Sequence, residues 1–268
     1  MSFPTRRAFA SLAAVATVAL SIHSLPAQAA EFSVGANIGN VPWEFQDASG
    51  ATVGFEIDLV NEIASRLDST VKFENIPFNG LFSAVQSGRI DMAVSSITIT
   101  EKRLESVSFA QPYYDSDQSL TATAASGITS LDELKGKTIG VDTGSTGDIY
   151  AQENAEKYGF ASISRYEGLA PAMLDLQAGR IEGYISDIPA LQYYTKDKPE
   201  LKVVQRIETG EKYSIMFAKD AELLTKVNDV LTTLKNEGFI AGLHEKWFGA
   251  KPEDTTSTVM VTDIPMLK

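Results

Sequence analysis

The sequence predicts an α/β chain built as two related lobes, and three observations carry that prediction. Strand-like and helix-like segments alternate from Phe32 to Val94. The same alternation restarts at Ser130 and runs to Ile185. The two stretches also share letters. Gln86-Ser87-Gly88-Arg89-Ile90-Asp91-Met92-Ala93-Val94-Ser95-Ser96-Ile97 sits beside Gln177-Ala178-Gly179-Arg180-Ile181-Glu182-Gly183-Tyr184-Ile185-Ser186-Asp187-Ile188, with identities at Gln, Gly, Arg, Ile, Ser and Ile. Each is a helix end, a glycine cap, a basic residue, a strand and a polar residue at the strand's carboxyl end. A related pair of lobes explains this better than chance likeness of two helix-Gly-strand transitions.

Residues 1–30 stand outside that fold. They carry Arg6 and Arg7, no acid, an apolar run from Ala8 to Leu25, and Ala27-Gln28-Ala29. This is the pattern of a secretory signal peptide, with cleavage after Ala29 or Ala30. Thr5-Arg6-Arg7-Ala8-Phe9 leaves the general and twin-arginine export routes both open. The mature chain is about 240 residues, enough for one large domain or two small ones.

The first unit opens with strand Phe32 to Ala36. Asp47-Ala48-Ser49-Gly50 reads as a turn, with Val53 to Phe55 on the far side of its hairpin. From Phe55 to Leu67, the apolar residues Phe55, Leu59, Ile63 and Leu67 recur at four-residue spacing, the stripe of an amphipathic helix packed on a sheet. Strand Val71 to Phe73, helix Leu81 to Gln86 and strand Ile90 to Val94 follow. The second unit starts at Ser130-Leu131-Asp132-Glu133-Leu134, a capping-box pattern that stops at Gly136. Strand Thr138 to Asp142, helix Asp148 to Tyr158, strand Ile163 to Tyr166, helix Pro171 to Gln177 and strand Glu182 to Ile185 repeat the first order. Leu201 to Val204 and Tyr213 to Phe217 are strand-like. Helices over Ala221–Asn236 and Phe239–Trp247 finish the chain, and the Thr-rich tail from Lys251 is expected to be loose.

Composition narrows function before any motif does. The absence of cysteine removes disulfides, thiolate metal sites and cysteine nucleophiles; neither a metal nor a cofactor is expected. Net charge is −12, and it becomes −14 without Arg6 and Arg7, because none of the 35 acids lies in residues 1–30. Nucleic acid and anionic membrane surfaces are therefore poor partners. No apolar run after the leader approaches the ~20 residues needed to span a bilayer. A periplasmic protein fits these facts.

The stretch Ser95-Ser96-Ile97-Thr98-Ile99-Thr100-Glu101-Lys102-Arg103 runs from a buried strand through hydroxyl residues into a helix opened by Thr100, a favoured N-cap. A strand's carboxyl end, free hydroxyls and a helix start together suit an anion. Arg103, in the first turn, opposes the helix dipole by a few tenths of a kcal/mol, which a carboxylate held in its fork would offset. A weak surface pair with Glu101 or Glu105 is the alternative. Ligands of open α/β sheets sit beyond the carboxyl ends of the strands. The repeat puts Ser96 and Asp187 at equivalent ends, one in each lobe, and so sets Thr98 and Arg103 against Asp187. A guanidinium for a carboxylate and a carboxylate for an ammonium is what an α-amino acid needs. Asp187 also reads as the N-cap of a helix over Ile188 to Tyr194, and the two roles are compatible.

From about Phe32 to Gly249 the chain resembles the periplasmic solute-binding proteins of polar amino-acid ABC transporters, the family of the glutamine-binding and lysine/arginine/ornithine-binding proteins. The residues that carry the resemblance are Pro42-Trp43-Glu44-Phe45, Gly54-Phe55-Glu56-Ile57-Asp58-Leu59, Ser96 to Arg103, Phe109-Ala110-Gln111-Pro112-Tyr113-Tyr114, Leu134-Lys135-Gly136-Lys137, Gly144-Ser145-Thr146 and Lys246-Trp247-Phe248-Gly249. The resemblance implies the type II periplasmic-binding-protein fold, two α/β sandwiches joined by two hinge strands. Lobe 1 would take residues 31–112 and 214–250, lobe 2 residues 118–208, the hinges 113–117 and 209–213, and the tail 251–268. It implies a monomer that closes on a small-molecule amino acid and delivers it to a cognate ABC permease at the inner membrane. By the same resemblance Arg103 would grip the α-carboxylate, helped by Ser96, Thr98 and Thr146. Asp187 would take the α-ammonium, and Phe78 would pack on the side chain.

Three positions depart from the family's pattern. Asn37 stands where Asp is common, and Asn40 where an aromatic is common, so one charge and one stacking wall are missing. Asp142 stands where relatives carry Lys, Leu or Gln, which suggests a polar, basic or N-substituted amino acid with a distal donor or cation. Asp142 also reads as a turn-forming acid bonded to the Gly144–Thr146 backbone.

An enzyme is the rival reading, since periplasmic cyclohexadienyl dehydratases use the same fold. Such chemistry needs a positioned general acid. The residues Arg, Asp, Ser, Thr and Phe are all accounted for by zwitterion binding, so the chain is read as a non-enzyme. A receptor's sensing half is disfavoured, because no further domain or membrane helix follows. His23 leaves with the leader, and His244 is expected on a solvated helix face. Trp43 and Trp247 are expected to pack rather than to stack on a ligand.

Overall fold

The structure is a computed structural model that describes residues 1–2 and 30–267, so nearly all of the leader lies outside the described residues. The first unit contains β1 (Ala30–Ala36), β2 (Phe45–Gln46), β3 (Thr52–Val53), α1 (Phe55–Arg66), β4 (Ser69–Asn75), α2 (Phe78–Gln86), β5 (Met92–Ala93), α3 (Glu101–Leu104) and β6 (Ser108–Phe109). The second contains β7 (Tyr114–Thr123), β8 (Thr138–Asp142), α4 (Thr146–Tyr158), β9 (Ser162–Tyr166), α5 (Leu169–Gln177), β10 (Gly183–Asp187), α6 (Ile188–Thr195) and β11 (Leu201–Tyr213). The chain ends with β12 (Met216–Phe217), α7 (Glu222–Asn236) and α8 (Phe239–Phe248).

Two five-stranded sheets form, in the orders β4-β1-β5-β12-β6 and β11-β7-β10-β8-β9. In the first, β1 runs parallel to β4 and β5, and β12 lies antiparallel beside β5. In the second, β8 runs parallel to β9 and β10, and β7 lies antiparallel beside β10. Setting β1, β4 and β5 on β8, β9 and β10 matches the sheets strand for strand. The repeat read in letters is thus a repeat of topology. It places the ends of β5 and β10 at equivalent points.

Burial follows the predicted stripes. Phe55, Leu59 and Ile63 are fully buried in one core with Val34 and Met92, and α7 and α8 add Val227, Leu231, Leu234, Ile240 and Leu243 to it. Trp43 is fully buried among Phe55, Tyr114 and Tyr213, while the Trp247 indole N–H donates to Asp58 at 2.7 Å. Both tryptophans are packing residues. The Leu131–Leu134 turn is a 3₁₀ turn with the Ser130/Glu133 capping box in place.

Several expectations need correction. Phe55 begins α1 rather than ending the hairpin strand, and its backbone N–H donates to the Pro42 carbonyl. Leu201 to Val204 is only the start of β11, a strand of 13 residues that runs through polar Gln205 to Lys212. A register break between Ile207 and Glu211 absorbs Gly210, whose φ of +62° suits the bulge. The resemblance marks only the end of this edge strand, 209–213, as a hinge strand; the mostly polar residues 205–208 hide the join to Leu201–Val204, and β6 and the part of β7 beyond 117 carry too little periodic signal to be read. His244 is half-buried and stacks on Tyr114 at 5.5 Å instead of facing solvent. The tail is not loose, for Ser257 and Thr258 are buried and Ser257 bonds Asp115 on β7.

The chain passes between the sheets twice, from β6 to β7 and from β11 to β12. Along these passages Tyr114 to Ser116 pair with Glu211 to Tyr213. Beside them lies the cleft.

Candidate functional site

A cavity of about 140 Å³ lies between the two sheets. Asn37, Asn40, Phe78, Ser96, Thr98, Arg103, Asp142, Thr146 and Asp187 all line it. They reach it from the ends of β1, β5, β8 and β10 and the starts of α2, α3 and α4, where the parallel strands deliver their carboxyl ends.

Arg103 is positioned by its own short helix. Thr100 is the N-cap of α3, and its hydroxyl accepts from the Arg103 backbone N–H at 3.1 Å. The side chain turns inward instead of pairing with Glu101 or Glu105; Lys102 holds Glu105 at the surface. Arg103 is only 8% exposed, and its guanidinium lies 5.3 Å from the Phe78 ring centre and 5.1 Å from that of Phe82. Its Nη1 donates to the Thr98 carbonyl at 2.7 Å and its Nη2 to the Gly144 carbonyl at 3.3 Å. Burial lowers its pKa to about 10, against the pull of Glu211 and Asp187. Five N–H groups serve two neutral carbonyls here, so the fork retains donors for an anion. Phe78 therefore packs on Arg103 while also lining the cavity.

Asp187 occupies the N-cap position of α6 without capping it through its side chain. Its Oδ2 accepts from Ser96 Oγ at 3.1 Å and its Oδ1 from Gln118 Nε2 at 2.6 Å. Asn40 Nδ2 donates to the same Ser96 hydroxyl at 3.1 Å. Burial, and then the charge of Glu211, push the Asp187 carboxyl up to about 7.

Glu211, 6% exposed on β11, was not foreseen. Thr98 donates to its Oε2 at 2.6 Å and Thr146 at 3.1 Å, while Gln118 donates to its Oε1 at 2.9 Å. The two threonine hydroxyls thus bond a carboxylate of the protein's own. Neither Glu211 nor Gln118 stands out as a site residue in the sequence: Glu211 lies within the expected hinge 209–213, in a polar run that reads as exposed, and Gln118 lies one residue beyond the expected hinge 113–117. Glu167, which also lines the cavity, stands directly after β9, so the strand-end rule could have found it.

Asp142 also lines the cavity, and Asn37 lies beside Gly168 across the cleft. The Asp142 carboxyl is not the turn-forming acid of its loop. That role falls to Asp148, whose Oδ2 accepts from the Gly144 N–H at 3.1 Å and from Arg165 at 2.9 Å. Ser145 caps α4 by accepting from the Asp148 N–H, and the unpaired N–H groups of this helix start adjoin the cavity. Asp142 Oδ1 is buried without a hydrogen-bond partner. Burial raises its pKa to about 6, despite the nearby Tyr184 hydroxyl and Gly168 N–H.

Beneath Ser95 and Ser96 lies a pair of fully buried acids, Glu44 and Glu56. Glu44 Oε1 accepts from Ser95 Oγ at 2.6 Å, and Glu56 Oε1 accepts from the Ser96 N–H at 2.8 Å and from the Tyr113 hydroxyl. Burial and the neighbouring Glu56 raise Glu44 well above the usual carboxyl range. Ser96 itself sits at φ +44°, and the Glu56 bond holds it there.

The cavity walls carry Arg103 against Asp142, Glu167 and Asp187. A ligand with an anionic end beside Arg103 and cationic or donor groups beside the acids would suit this field.

Residues 32–250 match the model of the bacterial extracellular solute-binding proteins, family 3. The lysine/arginine/ornithine-binding periplasmic protein of Escherichia coli strain K12 is 30% identical, over 90% of this chain and 95% of its own length. ABC transporter arginine-binding protein 1 of the same strain is 30% identical, over 85% of this chain and 96% of its own. Among solved structures, the arginine-, lysine-, histidine-binding protein ArtJ of Geobacillus stearothermophilus is 32% identical, with a TM-score of 0.77 over 84% of this chain and 97% of that one. Among the described residues, no helix is long and apolar enough to cross a membrane.

Proposed function

Because the chain belongs to family 3 of the bacterial extracellular solute-binding proteins, we propose that it is the periplasmic substrate-binding component of an amino-acid ABC importer. Its lobes close on the ligand as a monomer, with residues 113–117 and 209–213 as hinges, and the closed form is what the permease at the inner membrane recognises. Residues 1–30 are the leader that sends it there.

One observation carries the reading: Arg103, on α3 of the first unit, and Asp187, at the end of β10 in the second, line one cavity. The Arg103 fork takes the α-carboxylate, beside the N–H groups at the start of α4. Asp187 takes the α-ammonium, and its bonds from Ser96 and Gln118 hold both oxygens in place for it. Phe78 walls the aliphatic part, Asn37 and Asn40 border it, and Asp142 with Glu167 meets the end of the side chain. The relatives named for arginine and lysine, and the two acids beyond Asp187, support a basic or long polar amino acid. The relatives are named as binding proteins, and the roles assigned here move no covalent bond; the ligand leaves unchanged.

Calorimetric titration of ligand-stripped protein with L-arginine, and with agmatine, which lacks the α-carboxylate, tests the clamp. Arginine binds and agmatine binds at least a hundredfold more weakly; equal affinities would remove Arg103 from the carboxylate.

A further inference from the structure

The last 18 residues lie beyond the family match, which ends at residue 250, yet they are bonded to the passages between the sheets. Asp115 on β7 and Lys212 on β11 are register partners across the two strands and form a 2.7 Å ion pair. Ser257 closes over that pair. Its backbone N–H donates to Asp115 Oδ2 at 2.8 Å, its hydroxyl donates to Asp115 Oδ1 at 2.5 Å, and the same hydroxyl accepts from Lys212 Nζ at 3.0 Å. Ser257 and Thr258 are 3% and 2% exposed.

The tail is then tied to the first lobe alone. Lys235 of α7, itself buried, donates from Nζ to the Met260 carbonyl at 2.8 Å, and also to Gln111 Oε1 and the Pro112 carbonyl. The Thr262 N–H returns to Gln111 Oε1 at 3.2 Å. From there Thr262, Asp263 and Pro265 run beside Pro112, Gly210 and Lys212. One short segment thus bonds both passages and anchors them to one lobe, while Ser96–Asp187 and Arg103–Gly144 join the lobes across the cleft.

We propose that residues 251–267 are a strap that sets the open–closed equilibrium of the hinge, buckled at Ser257 and favouring the closed arrangement. The inference rests on the two-lobed closing reading, but not on what the site binds. Opening must twist β7 against β11 at Asp115 and Lys212. A strap fixed to both residues and to Lys235 of the first lobe resists that twist, since its bonds are made in the closed geometry. Ser257 is thus a positioning residue for closure, remote from the ligand.

The chain has no cysteine, so spin labels at Gln86→Cys and Asp132→Cys, exposed sites in different lobes, report the interlobe distance without ligand. Electron–electron dipolar spectroscopy is run on the ligand-stripped full chain, on a chain ending at Ala250 and on Ser257→Ala. The full chain gives mainly the short distance, and both variants move population to a longer one. If the shortened chain fails to fold, Ser257→Ala decides alone. An unchanged distance distribution in the folded variants, or a full chain already at the long distance, would overturn the strap. A failed arginine titration with a shifted distance would instead count against the ligand reading only.

Discussion

Ser96 Oγ donates a 3.1 Å hydrogen bond to Asp187 Oδ2, joining two positions that are equivalent in the internal repeat. Each lies at the carboxyl end of its unit's last parallel strand, and the pair bridges the cleft. A duplicated strand end has become two halves of one site.

Replacing Arg103 with Ala should weaken amino-acid binding by about 2–5 kcal/mol, since the ligand carboxylate would be buried without its partner. Lys at this position should recover only part of the loss, because an ammonium lacks the planar fork. Calorimetry on both variants reads the effect, and a loss under tenfold in Arg103→Ala would put the carboxylate elsewhere.

Binding should weaken in acid. Asp187 must be ionised to hold an ammonium, and burial has raised its carboxyl to about 7, so affinity is full above that pH and falls by up to about tenfold per unit below it. Glu211 is the second cause of that rise. Glu211→Gln should therefore move the midpoint of the pH profile downward, a shift that mere loosening of the hinge would not produce.

The Glu44–Glu56 pair should leave its mark on stability. Burial and the neighbouring Glu56 raise the Glu44 pKa in the folded state, so the folded chain binds this proton more tightly than the unfolded one. Its contribution is therefore lost as pH climbs above the ordinary glutamate value, at up to about 1.4 kcal/mol per unit. Glu44→Gln keeps the shape and an acceptor for Ser95 without the titration, so its denaturant-unfolding stability should fall less steeply with pH than that of wild type. Parallel slopes would mean that Glu44 is ionised throughout.

Asp142 should decide the ranking of side chains. At pH 7.5 the wild type should prefer arginine to citrulline, and Asp142→Asn should narrow that preference by about tenfold or more, the scale of one charged hydrogen bond. Unchanged ranking would leave Asp142 as a structural acid.

Much of this was legible from letters, and the reasons are physical. Helix α1 announced itself through Phe55, Leu59 and Ile63, and α3 through Thr100, because periodic burial and capping are local. The repeat carried Ser96 to Asp187 across 91 residues without a contact map. What stayed hidden depends on long-range pairing: β11 is a polar edge strand, Glu211 is buried only because two strands and two threonines surround it, and Ser257 finds Asp115 over 142 residues. Asp142 could be read as turn or ligand acid, and only the position of Asp148 takes the turn away from it.

The central claim is that this cleft clamps an amino-acid zwitterion, and the most direct measurement is a thermal-shift screen of protein stripped of ligand by unfolding and refolding, run against the standard amino acids. A true ligand at a hundred times its Kd adds about 2.7 kcal/mol, or a shift of about 5–10 °C for a chain of this size. The account predicts such a shift with a basic or long polar amino acid, and its loss in Arg103→Ala. Silence across every amino acid, from protein that refolds cooperatively, would contradict it.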